Sequence, residues 1–161
     1  MKKLTLVRHA KSSWDYEVDD FDRPLATRGI TDAILISNLL KAKNYKPQKV
    51  FSSPAKRAFQ TCNILMANLK VPLESVKTSE TLYDFGGHQL TSFIKDINDK
   101  YDNVMVFGHN HAITAFSNAF GDKGFDNVPT CGTVMFEFNI VHWKDLNKGI
   151  TVMHYFPKEY R

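Results

Sequence analysis

Two kinds of segment alternate along the chain. Lys3–Val7, with Leu4, Leu6 and Val7, reads as a buried strand, Val104–Phe107 as the clearest interior strand, and Lys49–Phe51 as a short strand. Between them lie stretches whose apolar residues recur three or four apart. A helix is predicted after Thr27-Arg28-Gly29, with Ala33, Ile36 and Leu40 on one face. A second stripe runs through Ala58, Cys62, Leu65 and Leu69, and Ser52-Ser53-Pro54 reads as its start, with serine as cap and proline in the first turn. Leu90–Lys100 and Ala112–Phe120 read as two further helices, the latter ended by Gly121. Glu74–Thr78 is another candidate strand. Val134–Ile140 and Ile150–Phe156 are rich in β-formers and are expected to pair near one edge. Asp15–Pro24 and Leu82–His88 read as loops. Strand alternating with helix predicts an α/β protein, a three-layer α/β/α sandwich on a mostly parallel central sheet.

The chain has 161 residues, which suits one domain over residues 1–161 with a full core. Its net charge of +4 is spread over dispersed lysines, and no basic block alternates with aromatics. That excludes a nucleic-acid signature and is compatible with an anionic substrate. The apolar run after Met1-Lys2-Lys3 is too short for a secretory leader, and no stretch approaches membrane-spanning length. Cys62 and Cys131 form no C-x-x-C motif and no disulfide framework, and read as small core residues in a reducing, cytoplasmic setting.

The chemistry concentrates at strand ends. Arg8-His9 follows the first strand, and Gly108-His109 follows the clearest interior one. Residues just past the carboxyl ends of strands in an open α/β sheet project into the ligand crevice. Arg57 falls near the start of a helix that itself follows a strand. There a guanidinium can reinforce the anion affinity of the helix N-terminus. Two arginines and two histidines aimed at one pocket predict a cationic site for a phosphoryl group. Metal binding by His109 and His111 is unattractive, because their spacing lacks a third ligand, and His111 reads as a cap. Among the loop carboxylates Asp15, Asp22, Glu80 and Asp84, the candidate general acid is Glu80, which precedes Leu82-Tyr83.

Together these pieces resemble the histidine phosphatase superfamily, which also contains the phosphoglycerate mutases. The resemblance rests on Arg8-His9-Ala10, on Ser52-Ser53 followed by Arg57 and Thr61, on Gly108-His109, and on Arg23-Pro24-Leu25 followed by Gly29. The short chain, Arg8–Trp14, Asn110 and Val128-Pro129-Thr130 are similar to the SixA-type phosphohistidine phosphatases. The resemblance implies a phosphoglycerate mutase-like fold and a phosphohydrolase with a phosphohistidine intermediate. In it His9 is the nucleophile, while Arg8, Arg57 and His109 bind the phosphoryl oxygens. It implies no metal and no cofactor. The implied substrate is a phosphorylated protein, either a phosphohistidine carrier or a phosphotransfer domain. The alternatives are a small phosphorylated metabolite, as for a phosphomonoesterase or mutase, and an inactive phosphate-binding module. The insertion that carries the acid in mutase-type relatives is largely missing here, and Glu80 only approximately takes its place.

Overall fold

A computed structural model describes residues 1–161. Six strands form one sheet: β1 (Lys2–Arg8), β2 (Lys49–Ser52), β3 (Val76–Thr78), β4 (Asn103–Gly108), β5 (Thr133–Phe138) and β6 (Ile150–Tyr155). Their order is β3-β2-β4-β1-β5-β6. The β2–β3, β2–β4 and β1–β4 pairings are parallel, and β1–β5 and β5–β6 are antiparallel. The sheet is therefore parallel on the side that carries the strand-end histidines, with the antiparallel pair at one edge.

The central strands β1 and β4 are covered on both faces, which is why they read as buried strands. On one face, Leu4, Leu6, Val104 and Val106 pack with Leu90 and Ile94 of α3 (His88–Lys95) and Ile113 and Phe116 of α4 (Ala112–Phe120). On the other, Val7, Val50, Met105 and Phe107 meet Ala33, Ile36 and Leu40 of α1 (Thr27–Ala42) and Cys62, Leu65 and Met66 of α2 (Lys56–Leu69). This is the expected α/β/α sandwich. Both cysteines are buried and free, and burial pushes the Cys62 thiol up to about 12.

Several boundaries differ from the sequence reading: β3 begins at Val76 rather than Glu74, α3 at His88 rather than Leu90, and β6 ends at Tyr155 rather than Phe156. α2 begins at Lys56, and no side chain caps it. Ser53 Oγ instead accepts from the Ala55 N–H and turns toward the site, so the Ser-Ser-Pro segment is a linker that aims a hydroxyl. α3 ends at Lys95, five residues before the expected Lys100. The Asp99 carboxylate just beyond it accepts from the Trp143 N–H and from His142, a tertiary claim no local pattern discloses. β5 stops at Phe138 rather than Ile140.

Two backbone details fix the entry to the site. The Lys11 carbonyl accepts the Ala26 N–H at 2.9 Å, and a Cβ on Gly29 would collide with that same carbonyl. Gly29 therefore lets the start of α1 lie against the chain leaving β1. Thr61 Oγ1 accepts the Ala10 N–H at 2.9 Å and donates to the Arg57 carbonyl at 2.7 Å, tying α2 to the same segment.

Candidate active site

Strand register brings the histidines together. Arg8 is paired with Gly108, and the ladder runs one residue further as the His9 N–H donates to the Gly108 carbonyl at 3.0 Å. On the other side of β4, the Ser53 N–H donates to the Phe107 carbonyl at 3.0 Å. His9, Ser53 and His109 thus leave three neighbouring strands at one level, just past their carboxyl ends. The rings of His9 and His109 lie 5.4 Å apart.

His9 is 8% exposed and its Nδ1 stands 2.7 Å from the Ala10 carbonyl. A carbonyl only accepts, so Nδ1 carries the proton and Nε2 keeps its lone pair. That lone pair accepts from Arg57 Nε at 3.3 Å. Burial, reinforced by the charges of Arg57, Arg8 and Arg23, lowers the His9 pKa to about 3 despite the opposing Ala10 hydrogen bond. The ring is neutral throughout the physiological range.

Arg57, the second residue of α2, is 3% exposed. Its other prongs reach the Asp20 backbone carbonyl at 2.6 Å and the Asp20 carboxylate at 3.0 Å. Arg8 is half-buried; its Nη1 donates to the Val128 carbonyl at 2.9 Å, while its Nε is buried without a partner. His109 is 1% exposed, its Nε2 lies 2.8 Å from Ser53 Oγ, and its Nδ1 is also buried without a partner. Burial first, then the His9 ring and Arg57, lower its pKa to about 3. Two guanidiniums and two neutral imidazoles, three of them buried, form a cationic floor with polar atoms left open.

Asp20, Arg23, Tyr83 and Ser53 join the site, though none was expected among its binding or catalytic residues. Arg23 donates to Ser13, Ser12 and Asp20 and stacks 3.2 Å from the centre of the Trp14 ring. The Tyr83 hydroxyl donates to the Asp20 carboxylate at 2.6 Å. Burial works against ionisation of Asp20, but the hydrogen bonds from Tyr83, Arg57 and Arg23 outweigh it and hold the carboxyl low, at about 2. Arg23 and Ser53 lie inside motifs that were legible. Asp20 is one carboxylate among five between Asp15 and Asp22, and nothing local separates it from its neighbours.

Of the loop carboxylates, Glu80 sits on a one-turn 3₁₀ helix, Glu80–Leu82, and is exposed; its side chain bonds to none of the cluster. Asp15 and Asp22 are exposed as well. Asp84 turns inward and accepts from the N–H groups of Gly86, Gly87 and Leu90, closing the turn that enters α3. His111 is exposed, at the N-cap of α4. No three His, Cys, Asp or Glu side chains stand close enough to hold a metal ion. No helix is long and apolar enough to cross a membrane.

The profile of the histidine phosphatase superfamily (branch 1) matches residues 4–86, just over half of the chain. The chain belongs to that superfamily, and its enzyme class is phosphatase. An uncharacterised chloroplastic protein of Arabidopsis thaliana is 31% identical over 118 residues, 68% of this chain; the chain spans only 54% of that relative's length. Two SixA structures share the fold. The one from Agrobacterium tumefaciens has a TM-score of 0.81 at 23% identity, covering 96% of this chain and 97% of that one. The protein histidine phosphatase SixA complexed with tungstate has a TM-score of 0.80 at 21% identity, covering 99% of each chain.

Proposed function

We propose that the protein is a phosphohistidine phosphatase that removes a phosphoryl group from a histidine on another protein, through a phosphorylated His9. The observation that carries this reading is the pairing of a nucleophile with a missing acid. His9 Nε2 presents a lone pair at the floor of a cationic pocket, and the carboxyl group bonded to that cluster, Asp20, is held ionised.

In the first step the His9 Nε2 lone pair attacks phosphorus and forms a P–N bond. The bond from phosphorus to the substrate nitrogen breaks, and its electron pair stays on the leaving imidazole. Arg8, Arg57 and His109 surround the phosphoryl oxygens, where fixed donors stabilise the charge of an in-line transfer. The Ala10 carbonyl accepts a stronger hydrogen bond as the His9 ring gains positive character. Water then attacks phosphorus, inorganic phosphate leaves, and Nε2 regains its pair. The arginines supply the positive charge that a metal supplies elsewhere.

The leaving group decides the substrate. An alkyl phosphate must expel an alkoxide, which needs a proton from a placed acid. Asp20 is the carboxyl group nearest the arginine clamp by its bonds, and its pKa of about 2 keeps it ionised. Glu80 is exposed and unattached to the cluster. An imidazole leaves readily near neutral pH because its own nitrogen takes up a proton with a pKa of about 6.5. The named tungstate complex of a protein histidine phosphatase with this fold supports the same substrate class.

The test compares phosphate release from a phosphohistidine protein, an aryl phosphate and a set of alkyl phosphates. The expected order is rapid, slow and very slow. A sugar phosphate or 3-phosphoglycerate as the fastest substrate overturns the reading in favour of a small-molecule enzyme. Phosphate binding with no turnover of any substrate leaves only a binding module.

A further inference from the structure

The segment between β1 and α1 presents a surface that the chemistry does not use. From Trp14 to Asp19, aromatic or aliphatic and acidic residues alternate: Trp14, Asp15, Tyr16, Glu17, Val18, Asp19. All six are exposed, Trp14 by 75% and Tyr16 by 60%. Tyr16, Glu17, Val18 and Asp19 take part in no side-chain hydrogen bond or ion pair. The strip ends beside the reaction centre, since the next residue, Asp20, is the one that holds Arg57. A run of rings then leads inward: Phe21 lies 5.3 Å from Tyr83, Tyr83 5.1 Å from Phe85, and Phe85 5.0 Å from His109.

We infer that Trp14–Asp19 is a docking strip for the protein that carries the phosphorylated histidine, and that this partner presents basic and apolar side chains beside that histidine. The inference rests on the phosphohistidine reading above. Exposed tryptophan and tyrosine at the mouth of a site are the residue types that anchor protein interfaces. Three carboxylates interleaved with them make this strip locally acidic and favour basic side chains at contact distance. A small phosphorylated metabolite is anionic and is repelled by the same carboxylates, so the strip serves no purpose for it. The acidic character equally disfavours nucleic acid.

Three probes test this: a phosphohistidine peptide flanked by lysine and leucine, the same peptide flanked by glutamate and serine, and free phosphohistidine. The wild-type protein is expected to prefer the first peptide over the second by about tenfold in kcat/KM, mostly through KM, and the preference shrinks as salt is raised. In Glu17→Lys/Asp19→Lys and in Tyr16→Ser/Val18→Ser the preference collapses, while turnover of free phosphohistidine stays within about twofold. An equal loss on free phosphohistidine assigns the strip to pocket shape and overturns the docking role. So does a wild-type protein that turns over both peptides alike. If neither peptide is hydrolysed, the phosphohistidine reading fails. The strip is then judged by fluorescence anisotropy of the unphosphorylated lysine–leucine peptide. Binding lost in both variants supports docking, and no binding to the wild type refutes it.

Discussion

The floor and the mouth of the pocket are built from opposite materials. The floor stands on three adjacent parallel strands whose register is locked by ladder hydrogen bonds, and His9, Arg57 and His109 are almost fully buried there. The mouth is made of the loop from Lys11 to Ala26 and the turn from Ser79 to Gly87, where Trp14, Tyr16, Phe21 and Phe85 face water. Asp20 joins the two, with its carboxylate half in solvent and bonded to a buried arginine. A floor of this kind holds reacting groups still, so that dipoles need no reorganisation during phosphoryl transfer. In the proposed reaction, a mouth of this kind is the part that meets what is attached to the phosphoryl group. Changes in the floor should therefore lower turnover of every substrate alike, and changes in the mouth should discriminate among them.

The strongest test of the floor is His9→Ala. Loss of the proposed nucleophile is expected to cost about four orders of magnitude or more in kcat on all substrates, with the circular dichroism spectrum unchanged. A variant that keeps near-wild-type phosphate release shows that the covalent route is wrong. Arg57→Lys comes next. Lysine keeps the charge but cannot bond His9, the Asp20 carbonyl and the Asp20 carboxylate at once. Vanadate affinity should fall by about 2 kcal/mol, roughly 30-fold, and equal affinities would remove Arg57 from the phosphate clamp.

The third test uses acid. Burial holds both His9 and His109 at about 3 in the folded protein, below the ordinary 6.5. The unfolded chain therefore binds the protons more readily. The stability contributed by these neutral rings is fully present above pH 6.5 and is lost as pH falls from there toward 3. The urea midpoint should fall steadily from pH 6.5 to pH 4, and His109→Gln should flatten that slope. A midpoint independent of pH in that interval would mean that neither ring is buried neutral. The smallest effect belongs to the mouth. Glu80→Gln should leave phosphohistidine turnover within about twofold, because an imidazole leaving group needs no proton from a carboxyl group. A large loss, seen most strongly on alkyl phosphates, would make Glu80 the proton donor and the enzyme mutase-like.

Much of the floor was legible because its signals are local. A short, mostly apolar stretch leading into Arg8-His9, an apolar run leading into Gly108-His109, and an arginine at a helix start are all visible without a fold. The sequence also indicated the layer order, since only fully covered strands such as Lys3–Val7 and Val104–Phe107 can be apolar on both faces. Where the reading fell short, a distant group had intervened. The Ser52-Ser53-Pro54 segment resembles a helix cap, but Ser53 is drawn to His109, from another strand. The end of α3 is set by Asp99 closing on Trp143 and His142, more than forty residues away.

The sequence by itself determined which side chains are candidates for the chemistry and that the two histidines would emerge at strand ends. Period, breaker and charge act over a few residues, and those are the distances that motifs record. Only the tertiary structure decided that β4 lies between β1 and β2, so that His9, Ser53 and His109 stand at one level. It alone chose Asp20 from five equivalent carboxylates and turned Asp84 inward to bond backbone N–H groups. A carboxylate's role depends on which donors lie within hydrogen-bond reach, and for Asp20 those donors come from residues 23, 57 and 83.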